Sequence, residues 1–221
     1  MKRIRSRNVT SDLAVAWRPV PTSVEPVGTS GLDELDQRGS GKYDVLPRAD
    51  LEKYAEAAGP ACGLWAYDAL RIARGEPRFG VDTDHRSIPN EMGWIGPAVH
   101  LDKGCYRGQE TIAKVHNLGH PPRRLVALQL DGSGSVLPEH GAAVRLGDDA
   151  VGIVTSAALH YEEGPIALAV VRRTTPVDAA LTVDTADGPV AAAQEVVVPP
   201  DAGATANVPR ITRLSRRAAA Q

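Results

Sequence analysis

Chemistry-bearing residue types are most concentrated in the stretch from Lys103 to Glu110, which reads K-G-C-Y-R-G-Q-E. Its thiol, Cys105, lies between the cations Lys103 and Arg107, and a short helix-compatible run follows at 111–115. A tight turn that leads into a helix places free backbone N–H groups and the positive end of the helix dipole beside the thiol. These groups and the two cations favour a thiolate. The pattern therefore predicts a reactive cysteine at Cys105.

Each residue of this stretch also has a purely structural interpretation. Its two glycines, Gly104 and Gly108, suit a turn that needs positive φ angles. Gln109 and Glu110 suit the cap of the following helix, and Lys103 suits an exposed surface position. A lone cysteine in such a turn is also often a small buried core residue.

Composition limits the classes of partner and location. The chain has 221 residues and a formal net charge of −2, so it is long enough for a real core and gives no reason to expect nucleic acid. Only two cysteines occur, Cys62 and Cys105, and this excludes a disulfide-rich scaffold. No apolar run approaches the ~20 residues that cross a bilayer. The charges at the N-terminus are followed by no apolar core, so we expect no secretory signal there. These features predict a cytoplasmic protein without a membrane partner.

The first half of the chain reads as mixed α and β structure. Strands are predicted at 8–18 and 43–46, separated by a loop rich in proline and glycine. Helices are predicted at 51–58 and 62–74, with Gly75 just past the second helix as its C′ residue. Residues 76–101 lack periodicity, which is typical of a functional loop. Within them Asp82, Asp84 and His85 have no second histidine at ligand spacing, so we expect no metal site.

Beyond Pro121-Pro122 the pattern changes to short strands separated by turns. Six strands are predicted, at 124–131, 143–146, 151–158, 166–172, 180–184 and 190–198. Strands of this length and spacing favour a small antiparallel barrel or sandwich. From residue 199 onward proline, glycine, alanine and arginine dominate, so we expect a disordered tail over 201–221.

With these elements in place, the chain resembles the YgfZ branch of the aminomethyltransferase (glycine cleavage T-protein) superfamily. Residues 103–110 match that branch's signature, K-G-C-[FY]-x-G-Q-E, without a mismatch. The segments 63–91 and 152–169 resemble the superfamily's helix with its following loop and its C-terminal barrel. The resemblance spans roughly residues 8–200 and implies an α+β fold. It implies a partial ferredoxin-like layer carrying the signature in 1–120, a small antiparallel β-barrel in 121–200 and the tail in 201–221.

The resemblance also implies a function. It points to a folate-binding protein that supports iron–sulfur cluster assembly or repair in client enzymes, with tetrahydrofolate or a related folate as cofactor and Cys105 as the reactive residue. The residues that it would place around the folate are these: Lys103, Gly104, Tyr106, Gly108, Gln109, Glu110, Arg71 and Glu91. Two cysteines do not supply the thiolates of a resident iron–sulfur cluster, so the clusters would belong to client proteins.

The chain departs from the family at two points. The resemblance begins partway through the family's fold, so we expect the family's N-terminal domain to be missing here. In addition, Ala73 stands where the superfamily often has a glutamate that is thought to hold the pterin, in the pattern R-x-E-x-G. Two other functions therefore remain open. One is a tetrahydrofolate-dependent aminomethyltransferase, and the other is a non-enzymatic module that binds a chain supplying the missing domain.

Overall fold

The computed structural model describes residues 12–19, 41–58, 60–134 and 136–206, and the chain divides into two compact units, 1–67 and 68–221. In the first unit, strands β1 (Leu13–Pro19) and β2 (Gly41–Pro47) form an antiparallel pair. Helix α1 (Leu51–Ala58) follows, and its Tyr54 hydroxyl donates to Asp44 Oδ2 over 2.6 Å. The helix predicted at 51–58 is confirmed, and so is the strand predicted at 43–46, which extends over 41–47. The strand predicted at 8–18 is confirmed over 13–18, and residues 8–11 lie outside the described residues.

Helix α2 (Leu64–Ala73) begins in the first unit and ends in the second. Its helical periodicity buries Ala69 and Ile72. The helix ends where the sequence predicts, because Gly75 has a φ of +68° and its N–H donates to the carbonyl of Ile72. A side chain is strained in this left-handed conformation, so glycine is the favoured residue after the last turn.

The second unit contains a closed six-stranded antiparallel barrel. Its strands are β3 (Arg123–Leu130), β4 (Ala143–Leu146), β5 (Asp149–His160), β6 (Gly164–Arg172), β7 (Leu181–Thr185) and β8 (Gly188–Val196). They follow one another around the barrel in the order β3-β6-β5-β4-β7-β8, and β3 also pairs with β8. All six predicted strands are therefore confirmed, and the predicted fold class is confirmed with them.

Strand β3 is buried on both of its faces. Val126, Leu128 and Leu130 point into the barrel core, while Leu125 packs in a second apolar cluster with Ile72 and Met92. Because successive side chains of a strand point to opposite faces, β3 separates the barrel interior from the layer outside it. The end of α2 and the loop that follows it are thereby packed against the outer face of the barrel.

The segment between α2 and the barrel is mostly irregular. It contains a short 3-10 turn (Pro89–Met92) and helix α3 (Gln109–Leu118). After the barrel, residues 199–206 lie along the end of α3, where the N–H groups of Thr205 and Ala206 donate to the carbonyls of His116 and Asn117. The predicted tail thus begins with residues that cap a helix, while 207–221 lie outside the described residues.

No helix in the described part of the chain is long and apolar enough to cross a bilayer.

Candidate functional site

Arg71, which the family resemblance would place beside a folate, lies at the centre of a buried polar network. It sits in the last turn of α2, and its side chain is 3% exposed. Nε donates to Asp68 Oδ1 over 2.6 Å, Nη1 to Asp82 Oδ2 over 2.9 Å, and Nη2 to Ser156 Oγ over 2.8 Å. Nη1 also donates to the carbonyl of Glu76. Most of the guanidinium's donors are therefore used inside the protein.

Asp82 is the counter-charge of Arg71 and is fully buried. Its Oδ1 accepts hydrogen bonds from the hydroxyls of Thr155 and Ser156, each over 2.6 Å. Its Oδ2 accepts from Arg71 and from the backbone N–H of Arg78, the latter over 2.8 Å. A buried carboxylate with four donors is well compensated for its loss of water. The network ties the loop after α2 to strand β5 of the barrel.

A cavity of about 370 Å³ opens beside this network. The polar side chains on its wall are those of Asp68, Arg71, Arg78, His140, Thr155 and Ser156. His140 Nδ1 lies 2.8 Å from the carbonyl oxygen of Thr155. Since that oxygen only accepts, Nδ1 carries the proton of this hydrogen bond.

Glu91, the second predicted ligand outside the signature, is also bound within the protein. Its side chain is 1% exposed, and its two oxygens accept from Nε and Nη2 of Arg123 over 3.0 and 2.9 Å. Arg123 also donates from Nη1 to Asp84 Oδ2 over 2.9 Å. These planar, charge-assisted contacts join the irregular loop to the first residue of β3.

The same contacts shift the ionisation of both partners. The hydrogen bond from Arg123 holds the pKa of Asp84 well below its ordinary value, with smaller contributions from Ser87 and the backbone of Arg86. The hydrogen bonds to Glu91 and Asp84 raise the pKa of Arg123. Both groups are charged at neutral pH, and the ion pair is intact there.

The signature turn, residues 103–110, is exposed. Cys105 is a free, exposed thiol, so a cysteine sealed in the core is excluded. Lys103 Nζ lies 4.6 Å from the centre of the Tyr106 ring, a cation–π contact. Gly108 has a φ of +83° directly before α3, whereas Gly104 has no positive φ. Gln109 and Glu110 form the first turn of α3, as expected, and Glu110 is exposed.

The structure does not bring all the predicted site residues together. Among the described residues, no hydrogen bond or ion pair joins the turn at 103–110 to Arg71 or Glu91. Cys105 does not line the cavity beside Arg71. The roles of these residues around a folate and of Cys105 in catalysis thus remain predictions.

Sequence reasoning missed the partners of both buried clusters. Arg123 lies one residue before the strand predicted at 124–131 and had no assigned role, and Ser156 was assigned only to a barrel resemblance. Asp82 and Asp84 did stand out as a pair of nearby carboxylates. In the structure they bind two different arginines, Arg71 and Arg123. One signal in the sequence could have indicated these contacts: the loop is long and irregular, so its two acids were candidates for bonds that hold it in place.

The sequence and the fold of this chain are similar to those of known aminomethyltransferases. Residues 123–200 match the glycine cleavage T-protein C-terminal barrel domain. An aminomethyltransferase of Synechococcus elongatus is 37% identical over 143 residues, which cover 62% of this chain and 35% of the relative. That of Streptomyces avermitilis is 35% identical over 164 residues, covering 69% of this chain and 41% of the relative.

A solved structure shares the fold. The glycine cleavage system aminomethyltransferase T from Bartonella henselae has a TM-score of 0.54 at 23% identity, covering 72% of this chain and 46% of that one. The chain spans less than half the length of these relatives, from 35 to 46%. None of these matches singles out the YgfZ branch. The sequence matches thus support the glycine cleavage T-protein superfamily, with residues 123–200 similar to its C-terminal barrel domain, whereas the solved structure shows the fold alone.

Proposed function

We propose that this chain takes part in folate-dependent one-carbon transfer of the aminomethyltransferase type, with tetrahydrofolate as the acceptor. The observation that carries the proposal is the similarity to curated aminomethyltransferases, 37% identity over 143 residues in one case. This similarity reverses the order of the two functions that the sequence favoured. The aminomethyltransferase becomes the first candidate, and the iron–sulfur role becomes the second.

The residues present fit a folate only in part. Arg71 and Glu91 are buried, and their polar atoms bond mainly to Asp82, Ser156 and Arg123. Releasing either side chain to a ligand would leave a buried charge without its partner, which costs several kcal/mol, roughly 3–5. We therefore assign these two residues to holding the loop after α2 rather than to contact with folate.

The exposed turn has groups of the kinds that a folate needs. Lys103 and Arg107 carry cations at the surface, suited to the carboxylates of the folate's glutamate tail. Gln109 and Glu110 supply an amide and a carboxylate at the start of α3, suited to the N–H and carbonyl edge of the pterin. The bound folate would supply the nitrogen that accepts the one-carbon unit. The chain's own residues would bind and orient it.

Titration of the full chain with reduced folate is the first test. We expect saturable binding and at least a tenfold weaker affinity in Lys103→Ala, because one charge-assisted contact is lost, worth roughly 1.5–3 kcal/mol. The matched control is Lys114→Ala, an exposed lysine on α3 outside the turn. No binding to the wild-type chain, or equal weakening in both variants, would contradict this assignment.

The activity needs its own assay. An aminomethyltransferase releases ammonia from an aminomethyl-carrying lipoyl protein only when tetrahydrofolate is present. We expect this dependence in the full chain. Binding of folate without ammonia release would keep the binding assignment and reject the catalytic one.

One observation favours the second candidate, a YgfZ-type factor that maintains iron–sulfur enzymes. The thiol of Cys105 is exposed within a turn that matches the signature of that branch. An exposed thiol between two cations is suited to exchange reactions or transient ligation of a metal. Rescue of a strain that lacks its own family member, with Cys105→Ala as the control, tests this role. Equal rescue by the variant would remove the thiol from the mechanism.

A further inference from the structure

The barrel contains a fully buried arginine for which the proposed function has no use. Arg124 is the second residue of β3, and its relative exposure is 0%. It lies on the same face of the strand as Val126 and Leu128, which form part of the barrel core. A guanidinium stays protonated in proteins, so a full positive charge lies at the end of the barrel interior.

The partners of Arg124 do not balance this charge. Nη2 donates to the carbonyl of Thr175 over 2.9 Å and to Oε1 of Gln194 over 2.8 Å, and both acceptors are neutral. Among the described residues no carboxylate forms an ion pair with it. Burial lowers the pKa of Arg124, and no acid opposes that effect. Buried charges in proteins are almost always paired, so this one needs a counter-ion.

Several polar atoms around the same point have no protein partner. Arg124 Nε and Nη1 are buried without a hydrogen bond, and so is the hydroxyl of Thr175. Thr175 itself is 4% exposed. The N–H groups of a guanidinium only donate, so what Arg124 lacks is acceptors, while the hydroxyl of Thr175 is able both to donate and to accept. Water accepts hydrogen bonds but brings no charge, whereas an anion supplies both the acceptor and the compensation.

We propose that this end of the barrel binds one small monovalent inorganic anion of halide size as the counter-ion of Arg124. Arg124 is fully buried and Thr175 is 4% exposed, so the site is enclosed and suits a single small ion rather than an organic molecule. Gln194 contacts Arg124 and also lines a groove of about 590 Å³ on the barrel surface. Movement of this one side chain would give an ion access to the guanidinium.

The first experiment measures the thermal stability of the full chain against halide concentration. Chloride or bromide replaces gluconate at constant ionic strength and pH. An ion that binds only the folded state raises Tm along a saturable curve, by about 5 °C once its concentration is far above Kd. A Tm that does not respond to halide, or that changes linearly without saturation, would overturn the proposal and leave water as the occupant.

Two substitutions test whether the halide response depends on the unpaired charge of Arg124. Arg124→Met removes the charge, and Gln194→Glu places a carboxylate where Oε1 now accepts from Arg124. Both are expected to abolish the halide response, and Gln194→Glu is expected to raise Tm in gluconate towards the wild-type value in halide. Arg172→Met, at an exposed strand end, and Ala193→Glu, beside Gln194 but exposed, are the matched controls and should keep the response. A response that persists in Arg124→Met overturns the assignment.

A direct observation keeps the proposal testable if Arg124→Met fails to fold. Crystals of the wild-type chain grown or soaked in bromide should show an anomalous peak within hydrogen-bonding distance of Arg124. A well-ordered barrel without such a peak would reject the site. Neither result depends on folate binding or on aminomethyl transfer, so failure here leaves the proposed function untouched.

Discussion

Replacement of Asp82 by asparagine tests whether the buried network of Arg71 holds the loop after α2 against the barrel. Asparagine keeps the size of the side chain but converts one acceptor oxygen into an NH₂ donor. Asp82 accepts from Arg71, Arg78, Thr155 and Ser156, so at least one of these donors then faces another donor. The loss of the negative charge also leaves Arg71 with only Asp68 as its acid partner.

The cost follows from the burial of both partners. Arg71 and Asp82 have side-chain exposures of 3% and 0%, and breaking a buried pair by changing one member costs about 3–5 kcal/mol. A domain is usually stable by about 5–15 kcal/mol in total, so Asp82→Asn should lose a large share of its stability. Urea unfolding of the full chain, followed by tryptophan fluorescence and circular dichroism, measures this loss. Asp187→Asn, in the exposed turn before β8, is the control and should change stability by less than about 0.5 kcal/mol.

A double-mutant cycle separates the ion pair from the loss of packing. In the background of Arg71→Met no buried cation needs Asp82, so the second substitution should cost less than it does in the wild type. A coupling of about 1–3 kcal/mol is expected between the two positions. If Asp82→Asn costs less than about 1 kcal/mol, or if the two substitutions add without coupling, the network does not anchor the loop and this reasoning is wrong.

Four further outcomes are expected. Arg123→Met leaves the buried Glu91 unpaired and should destabilise the chain by about 2–4 kcal/mol in urea, with only partial recovery in Arg123→Lys, which lacks the planar fork. The folded-state pKa of Asp84 lies below its ordinary value of 3.8. Its contribution to the free energy of unfolding is therefore complete above pH 3.8 and is lost as the pH falls through the folded-state pKa. The difference in stability between the wild type and Asp84→Asn should be constant from neutral pH to about 4.5 and should shrink below it. Gly152→Ala places a methyl group 2.8 Å from the Cα of Val171 and should cost about 1–3 kcal/mol, whereas Gly63→Ala meets no atom within 4 Å and should cost little. Cys105 should react with a thiol reagent in the native chain without denaturant, and labelling only after unfolding would refute its exposure.

The fold was largely predictable from the sequence because its elements depend on local pattern. The alternation of β3 and the placement of Gly75 after α2 both arise from neighbouring residues, and both are confirmed. The clusters around Arg71 and Arg123 depend instead on contacts between distant positions. Arg71 meets Ser156 across 85 residues, and Arg123 meets Glu91 across 32. A single sequence gives no signal for such a pairing, because arginine and glutamate are equally common at the surface.

The two buried clusters together explain how an irregular segment stays ordered. Residues 76–101 contain little regular structure, so few of their backbone groups are fixed by helices or sheets. Ordering such a segment costs conformational entropy at every residue. Asp82 anchors it to β5, and Glu91 and Asp84 anchor it to β3, each through charge-assisted bonds to an arginine. Asp82, Asp84 and Glu91 are thus bound to arginines within the protein. We propose that a ligand is recognised instead by the exposed turn, 103–110, whose thiol and cations are exposed.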